Sequence, residues 1–158
     1  IDACALEQAE AMAGKVTEAL TGYGIWGVEF FKTKRGEIIF SELSPRPHDT
    51  GMVTLGHTTN LSEFELHLRA IMGWPIPAIH LELCGCSAVV LAKETTDSAP
   101  EYHLDTALSE DRTRVRIFGK PTQHVGRRMG IVLCYDEVES DIDALRSKAK
   151  RLAQTIIS

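Results

Sequence analysis

The sequence contains no apolar run approaching the roughly 20 residues needed to cross a bilayer, so no membrane partner is expected. It lacks the lysine-led, apolar-cored start of a secretory signal, since IDACALEQAEAMAGK carries acids there instead. It has no excess of positive charge: 22 acids against 17 lysines and arginines give −5, which argues against a broad nucleic-acid footprint. Cysteine is scarce. Cys4, Cys84, Cys86 and Cys134 form no C-x-x-C pair, which disfavours a zinc site or a disulfide framework and suits reduced thiols in a cytosolic protein. There is no internal repeat and no low-complexity tract. The first residue is Ile1 rather than methionine, and the expectation is a piece of something longer.

What is present is enough for a core. With 44% hydrophobic and 25% charged residues over 158 positions, the chain is expected to hold one domain, or one plus a small second one. Asp2 is placed to cap a helix whose apolar positions Ala5, Ala9, Met12, Val16 and Leu20 recur at helical spacing up to Gly22. Two runs rich in β-branched and aromatic residues follow, Ile25 to Phe31 and Glu37 to Leu43, joined by Thr33-Lys34-Arg35-Gly36 as a hairpin. Ser62 with Glu65 reads as a capping box of a second helix, stopped by Gly73 and by Pro75 and Pro77. A domain boundary is placed there, dividing residues 1–76 from 77–158. Beyond it, Ser87 to Lys93, Arg114 to Ile117 and Gly130 to Tyr135 read as strands, and a helix from about Ser140 closes the chain.

The hairpin carries two acids of interest. If Lys32 pairs with Glu37 across a four-residue loop, Glu29 faces Phe40 and Glu42 faces Gly27. The two glutamates then share a face as diagonal neighbours, with β-carbons roughly 7–8 Å apart. Such a pair can converge on magnesium, which takes oxygen ligands and commonly keeps waters and substrate phosphates in its shell. The plain alternative is two solvated acids. Their neighbours, Val28, Phe30 and Phe31 around Glu29 and Ile38 to Phe40 before Glu42, favour the metal, because an acid among apolar side chains costs free energy unless it is paired. A one-residue slip in register would separate them.

Immediately after Glu42 comes Ser44-Pro45-Arg46-Pro47-His48-Asp49-Thr50-Gly51. The prolines stiffen the backbone on both sides of Arg46, whose planar fork suits phosphate or carboxylate. A rigid surface loop with an internal Arg46–Asp49 pair is the plain alternative.

Gly27-Val28-Glu29-Phe30-Phe31 and Ile39 through Thr54, with Phe118-Gly119-Lys120-Pro121 and Gly126-Arg127-Arg128-Met129-Gly130, resemble the C-terminal part of an ATP-grasp enzyme. Within that superfamily the resemblance is narrower, to formate-dependent phosphoribosylglycinamide formyltransferases of purine biosynthesis. The related aminoimidazole ribonucleotide carboxylases share Pro-Arg-Pro-His but usually continue Asn-Ser-Gly, not Asp-Thr-Gly-Met-Val-Thr. The implied fold is α+β: the second half of an ATP-grasp domain, with antiparallel strands plus helices, then a small β-rich C-terminal domain with a terminal helix.

Residue by residue, the resemblance implies that Glu29 and Glu42 bind magnesium and that Asp49 holds the glycinamide substrate. It implies that Lys120, Arg127 and Arg128 bind the substrate's ribose phosphate, and that Arg46 lies near the ATP phosphates or an acyl phosphate. The implied partners are ATP as co-substrate, formate and glycinamide ribonucleotide, and the implied context is a cytoplasmic enzyme, homodimeric when full-length. In that family the formate-side and nucleotide-grasping elements come from earlier domains, so the chain is expected to be inactive alone. A related ATP-grasp carboxylase or ligase, and a non-catalytic regulatory domain that keeps the fold, stay open beside the formyltransferase.

Overall fold

The computed structural model describes residues 1–157; Ser158, the last residue of the expected second domain, lies outside the described residues. The chain divides into two compact units, Ile1–Gly51 with Glu63–Ala78, and Met52–Ser62 with Ile79–Ser158.

In the first unit, helix α1 spans Ala3–Leu20 and its N-cap is Asp2, whose Oδ1 accepts from the Ala5 N–H at 2.9 Å. This satisfies one of the amide donors that a helix start leaves unpaired. The helix stops at Thr21 and Gly22. Strands β1 (Gly27–Lys32) and β2 (Ile38–Ser44) pair antiparallel as a two-stranded ribbon. Helix α2 runs over Glu63–Met72 and ends before Gly73, as expected. His67 on α2 accepts the Ile25 N–H through Nδ1 at 2.9 Å, which ties the entry of β1 to that helix.

The hairpin register differs from the expectation. Thr33, not Lys32, meets Glu37: the Thr33 N–H donates to the Glu37 carbonyl at 2.9 Å, and the Thr33 hydroxyl receives the Glu37 N–H at 3.1 Å. The loop is therefore Lys34-Arg35-Gly36, with Gly36 at φ 87°, where a glycine carries no steric cost. A bulge at Ser41 then moves the register once more, so Phe30 pairs with Phe40 while Glu29 pairs with Glu42. The glutamates are direct cross-strand partners rather than diagonal ones.

A 3₁₀ helix over Gly51–Gly56, unexpected from the sequence, starts at the last residue of the first unit's opening segment and carries the chain into the second unit. Strands β3 (Cys84–Leu91), β4 (Thr113–Ile117) and β5 (Arg128–Asp136) form an antiparallel sheet in the order β3-β5-β4. A short helix α3 covers Asp105–Leu108, and α4 spans Ile142–Thr155. Asp141 caps α4, its Oδ1 accepting from the Asp143 N–H at 2.9 Å and the Ala144 N–H at 3.2 Å. The apolar stripe of α4 supplies Leu145, Ala149, Leu152 and Ile156 to a core shared with Val90, Met129, Val132 and Cys134. Strand β5, central in the sheet, is buried along Met129 to Cys134, which explains its continuous apolar run. All four cysteines are free thiols, and burial pushes the Cys86 and Cys134 thiols up from their ordinary range. The α+β architecture matches the expected one: antiparallel strands plus helices, then a small sheet with a terminal helix.

Candidate active site

The β1–β2 ladder holds Glu29 and Glu42 opposite each other. One ligand atom each from Glu29, Glu42 and His48 lie within 4.8 Å of one another. The Glu29 side chain is 44% exposed, so the pair opens to solvent instead of being sealed in a core. Two facing carboxylates at an open edge supply hard oxygen donors and leave room for water and phosphate oxygens, which is the donor set magnesium prefers. The residues present therefore fit that ion.

The loop after β2 turns back over the strands. The Arg46 N–H donates to the Ser44 carbonyl at 2.9 Å, and the Arg46 guanidinium donates to the Pro47 carbonyl at 3.0 Å while standing exposed. His48 lies against the ladder: a side chain at Gly27 would bring its Cβ within 3.1 Å of the His48 Cβ. The His48 ring reaches Glu29 Oε1 through Nε2 at 3.3 Å. Its Nδ1 faces Asp49 Oδ1 at 3.2 Å and the Thr50 hydroxyl at 3.0 Å. The structure thus brings Glu29, Glu42, His48 and Asp49 together within the first unit.

Behind the loop sits Glu63, the first residue of α2, only 6% exposed. Its Oε2 accepts the His48 N–H at 3.0 Å, and burial raises its carboxyl above the ordinary range. Gly51 is needed for this approach, because a Cβ there would fall 2.2 Å from Glu63 Oε2. Little in the sequence marks Glu63 for this role. Its one signal was an acid in the first turn of a helix, and that is ordinary dipole chemistry on most helices.

Lys120, Arg127 and Arg128 belong to the second unit, on the connection from β4 to β5 and at the start of β5. Thr96 and Gln123 exchange backbone bonds at 3.0 and 3.1 Å, which pins the connection to the segment after β3. The Gly126 N–H donates to Ala92 and the Ala92 N–H donates to Arg127, both at 2.9 Å, which adds a second clamp. Arg127 is partly committed, its guanidinium donating to the Thr122 carbonyl at 2.9 Å and hydroxyl at 2.7 Å. The Lys120 ammonium stands 5.6 Å above the centre of the Phe118 ring, which holds a cation in place without neutralising it. Arg128 is exposed. The result is two cationic side chains on a doubly clamped connection and a third on the strand residue that follows it.

Residues 1–64 match the family model described as ATP-grasp domain, and residues 85–156 match the model described as PurT, C-terminal. A formate-dependent phosphoribosylglycinamide formyltransferase from Bacteroides thetaiotaomicron is 57% identical over 99% of this chain and 40% of its own length. Among solved structures, N5-carboxyaminoimidazole ribonucleotide synthetase from Thermotoga maritima aligns with a TM-score of 0.82 at 32% identity, over 99% of this chain and 43% of that one. N5-carboxyaminoimidazole synthase from Aspergillus clavatus, solved with ADP and 5-aminoimidazole ribonucleotide, gives 0.80 at 25% identity, over 98% of this chain and 40% of that one. The chain thus spans about two fifths of the length of these relatives. No described helix is long and apolar enough to cross a membrane.

Proposed function

Because the chain belongs to the ATP-grasp superfamily and corresponds to the C-terminal part of its formate-dependent phosphoribosylglycinamide formyltransferases, we propose that it carries the metal and acceptor residues of such an enzyme. The complete enzyme would use ATP to phosphorylate formate, giving formyl phosphate and ADP, then pass the formyl group to the amine of glycinamide ribonucleotide with release of phosphate. The observation that carries this reading is the pairing of Glu29 with Glu42, followed within one loop by Asp49.

In this proposal Glu29 and Glu42 would hold magnesium, which would supply neutralising charge to the transferring phosphoryl group. Asp49 accepts the hydrogen bonds of the substrate amine and orients it for attack. Lys120, Arg127 and Arg128 bind the ribose phosphate, as several cations on a rigid connection suit a dianion. Orienting the bound acceptor converts a bimolecular encounter into an effectively unimolecular one. Arg46, exposed on the stiff loop, is assigned to the ATP phosphates or the acyl phosphate. ATP as co-substrate, a cytoplasmic location, a homodimeric complete enzyme and a functional boundary near residue 76 complete the reading.

The test offers the complete enzyme two substrate sets: formate with glycinamide ribonucleotide, and bicarbonate with aminoimidazole ribonucleotide, each with ATP and magnesium. The expected result is ATP-dependent product from the first set alone. Product from the second set alone would assign the chain to the carboxylase branch, and product from neither would favour a regulatory domain. Higher identity to the formyltransferase than to either synthase structure, 57% against 32% and 25%, supports the first outcome.

A further inference from the structure

We infer that His48 is a positioning residue that locks the metal-facing Glu29 and the substrate-facing Asp49 into one arrangement, an inference resting on the formyltransferase reading. Its two ring nitrogens address different carboxylates: Nε2 lies 3.3 Å from Glu29 Oε1, and Nδ1 lies 3.2 Å from Asp49 Oδ1. The ring is planar and rigid, so the separation between those two carboxylates is set by the imidazole itself.

The ring is in turn held from several sides. The buried Glu63 takes its backbone N–H at 3.0 Å, and the Gly51 N–H donates to its carbonyl at 2.9 Å. The Thr50 hydroxyl sits 3.0 Å from Nδ1, and the strand at Gly27 packs against its Cβ. The His48 side chain is only 15% exposed, against 44% for Glu29, so the histidine is the fixed element and the glutamate the open one. Residues that orient a metal-binding carboxylate typically matter by about 10- to 100-fold in metal affinity or activity. A direct metal bond from His48 fits less well, because both ring nitrogens already face other polar groups and magnesium favours oxygen.

The side-chain amides of asparagine and glutamine separate the two contacts. Asparagine places its amide near the position of Nδ1, and glutamine places its amide near that of Nε2. In the complete enzyme, His48→Asn keeps the contact toward Asp49 and Thr50 and drops the one to Glu29. It is expected to weaken manganese binding to the ADP complex, read by electron paramagnetic resonance, about 10- to 100-fold. Its KM for glycinamide ribonucleotide should stay near the parent value. His48→Gln is expected to do the reverse, sparing manganese affinity and raising the acceptor KM about 10-fold. Thr50→Val, which removes the hydroxyl that fixes Nδ1 but leaves the ring, should raise the acceptor KM and spare manganese, and it serves if either histidine variant fails to fold. Equal loss of manganese in both histidine variants would make His48 a ligand and overturn the inference. So would unchanged manganese affinity and unchanged KM in all three variants. If the parent enzyme does not formylate, the proposed function fails, while the manganese split between Asn and Gln still decides the role of His48.

Discussion

The second unit buries Val90, Met129, Ile131, Val132, Leu152 and Ile156 to 1% exposure or less, whereas in the first unit Phe31, Phe64, Leu68, Ile71 and Trp74 stand between 44% and 64% exposed. One unit has closed its own core. The other presents its candidate metal residues on a two-stranded ribbon and leaves several large apolar side chains about half exposed. The candidate metal residues therefore sit on the more open unit, while most of the buried core belongs to the other.

The strongest contrast should come from paired truncations. Leu152→Ala, in the second unit's core, is expected to cost about 2–5 kcal/mol in denaturant unfolding of the chain. Leu68→Ala, half exposed in the first unit, should stay within about 0.5 kcal/mol. Equal costs would erase the distinction between the units.

Glu42→Ala should reverse that ranking for catalysis. It is expected to lower kcat of the complete enzyme about 100-fold or more, the equivalent of several kcal/mol of lost charge stabilisation, with little change in the melting temperature. Arg128→Ala should raise KM for the phosphate-bearing acceptor about 10- to 100-fold, as loss of a charge-assisted hydrogen bond does, and move kcat less. Arg127→Ala would mix two effects, because that side chain also holds Thr122.

The smallest effect concerns the first unit's helix. Lys32, and then the Ala5 N–H, hold the Asp2 carboxyl at about 2, below its ordinary 3.8. A depressed carboxyl stabilises the folded state above its unfolded value and loses that contribution as pH falls through the folded one. Acid unfolding followed by circular dichroism should therefore show α1 weakening between about pH 4 and 2, and Asp2→Asn should flatten that dependence.

Much of this was legible in residue order, for identifiable reasons. Helical spacing and caps gave α1, α2 and α4, and continuous apolar runs gave β3 and β5, because both signals are local. The hairpin exposed the limit. Apolar alternation cannot reveal whether Thr33 closes the loop with its own hydroxyl, nor that Ser41 bulges, and each event shifts the register by one residue. The two shifts together brought Glu29 and Glu42 into direct opposition, so the expectation of a shared face survived an incorrect pairing. The bridge made by His48 and the buried brace of Glu63 depend on a loop folding back onto strands and on a helix start, long-range contacts that carry no pattern in sequence.

The most direct test of the central claim is calorimetric. Binding of ATP to the complete enzyme should depend on magnesium, and that dependence should be lost in both Glu29→Ala and Glu42→Ala. Magnesium-dependent ATP binding that persists unchanged in both variants would contradict the account.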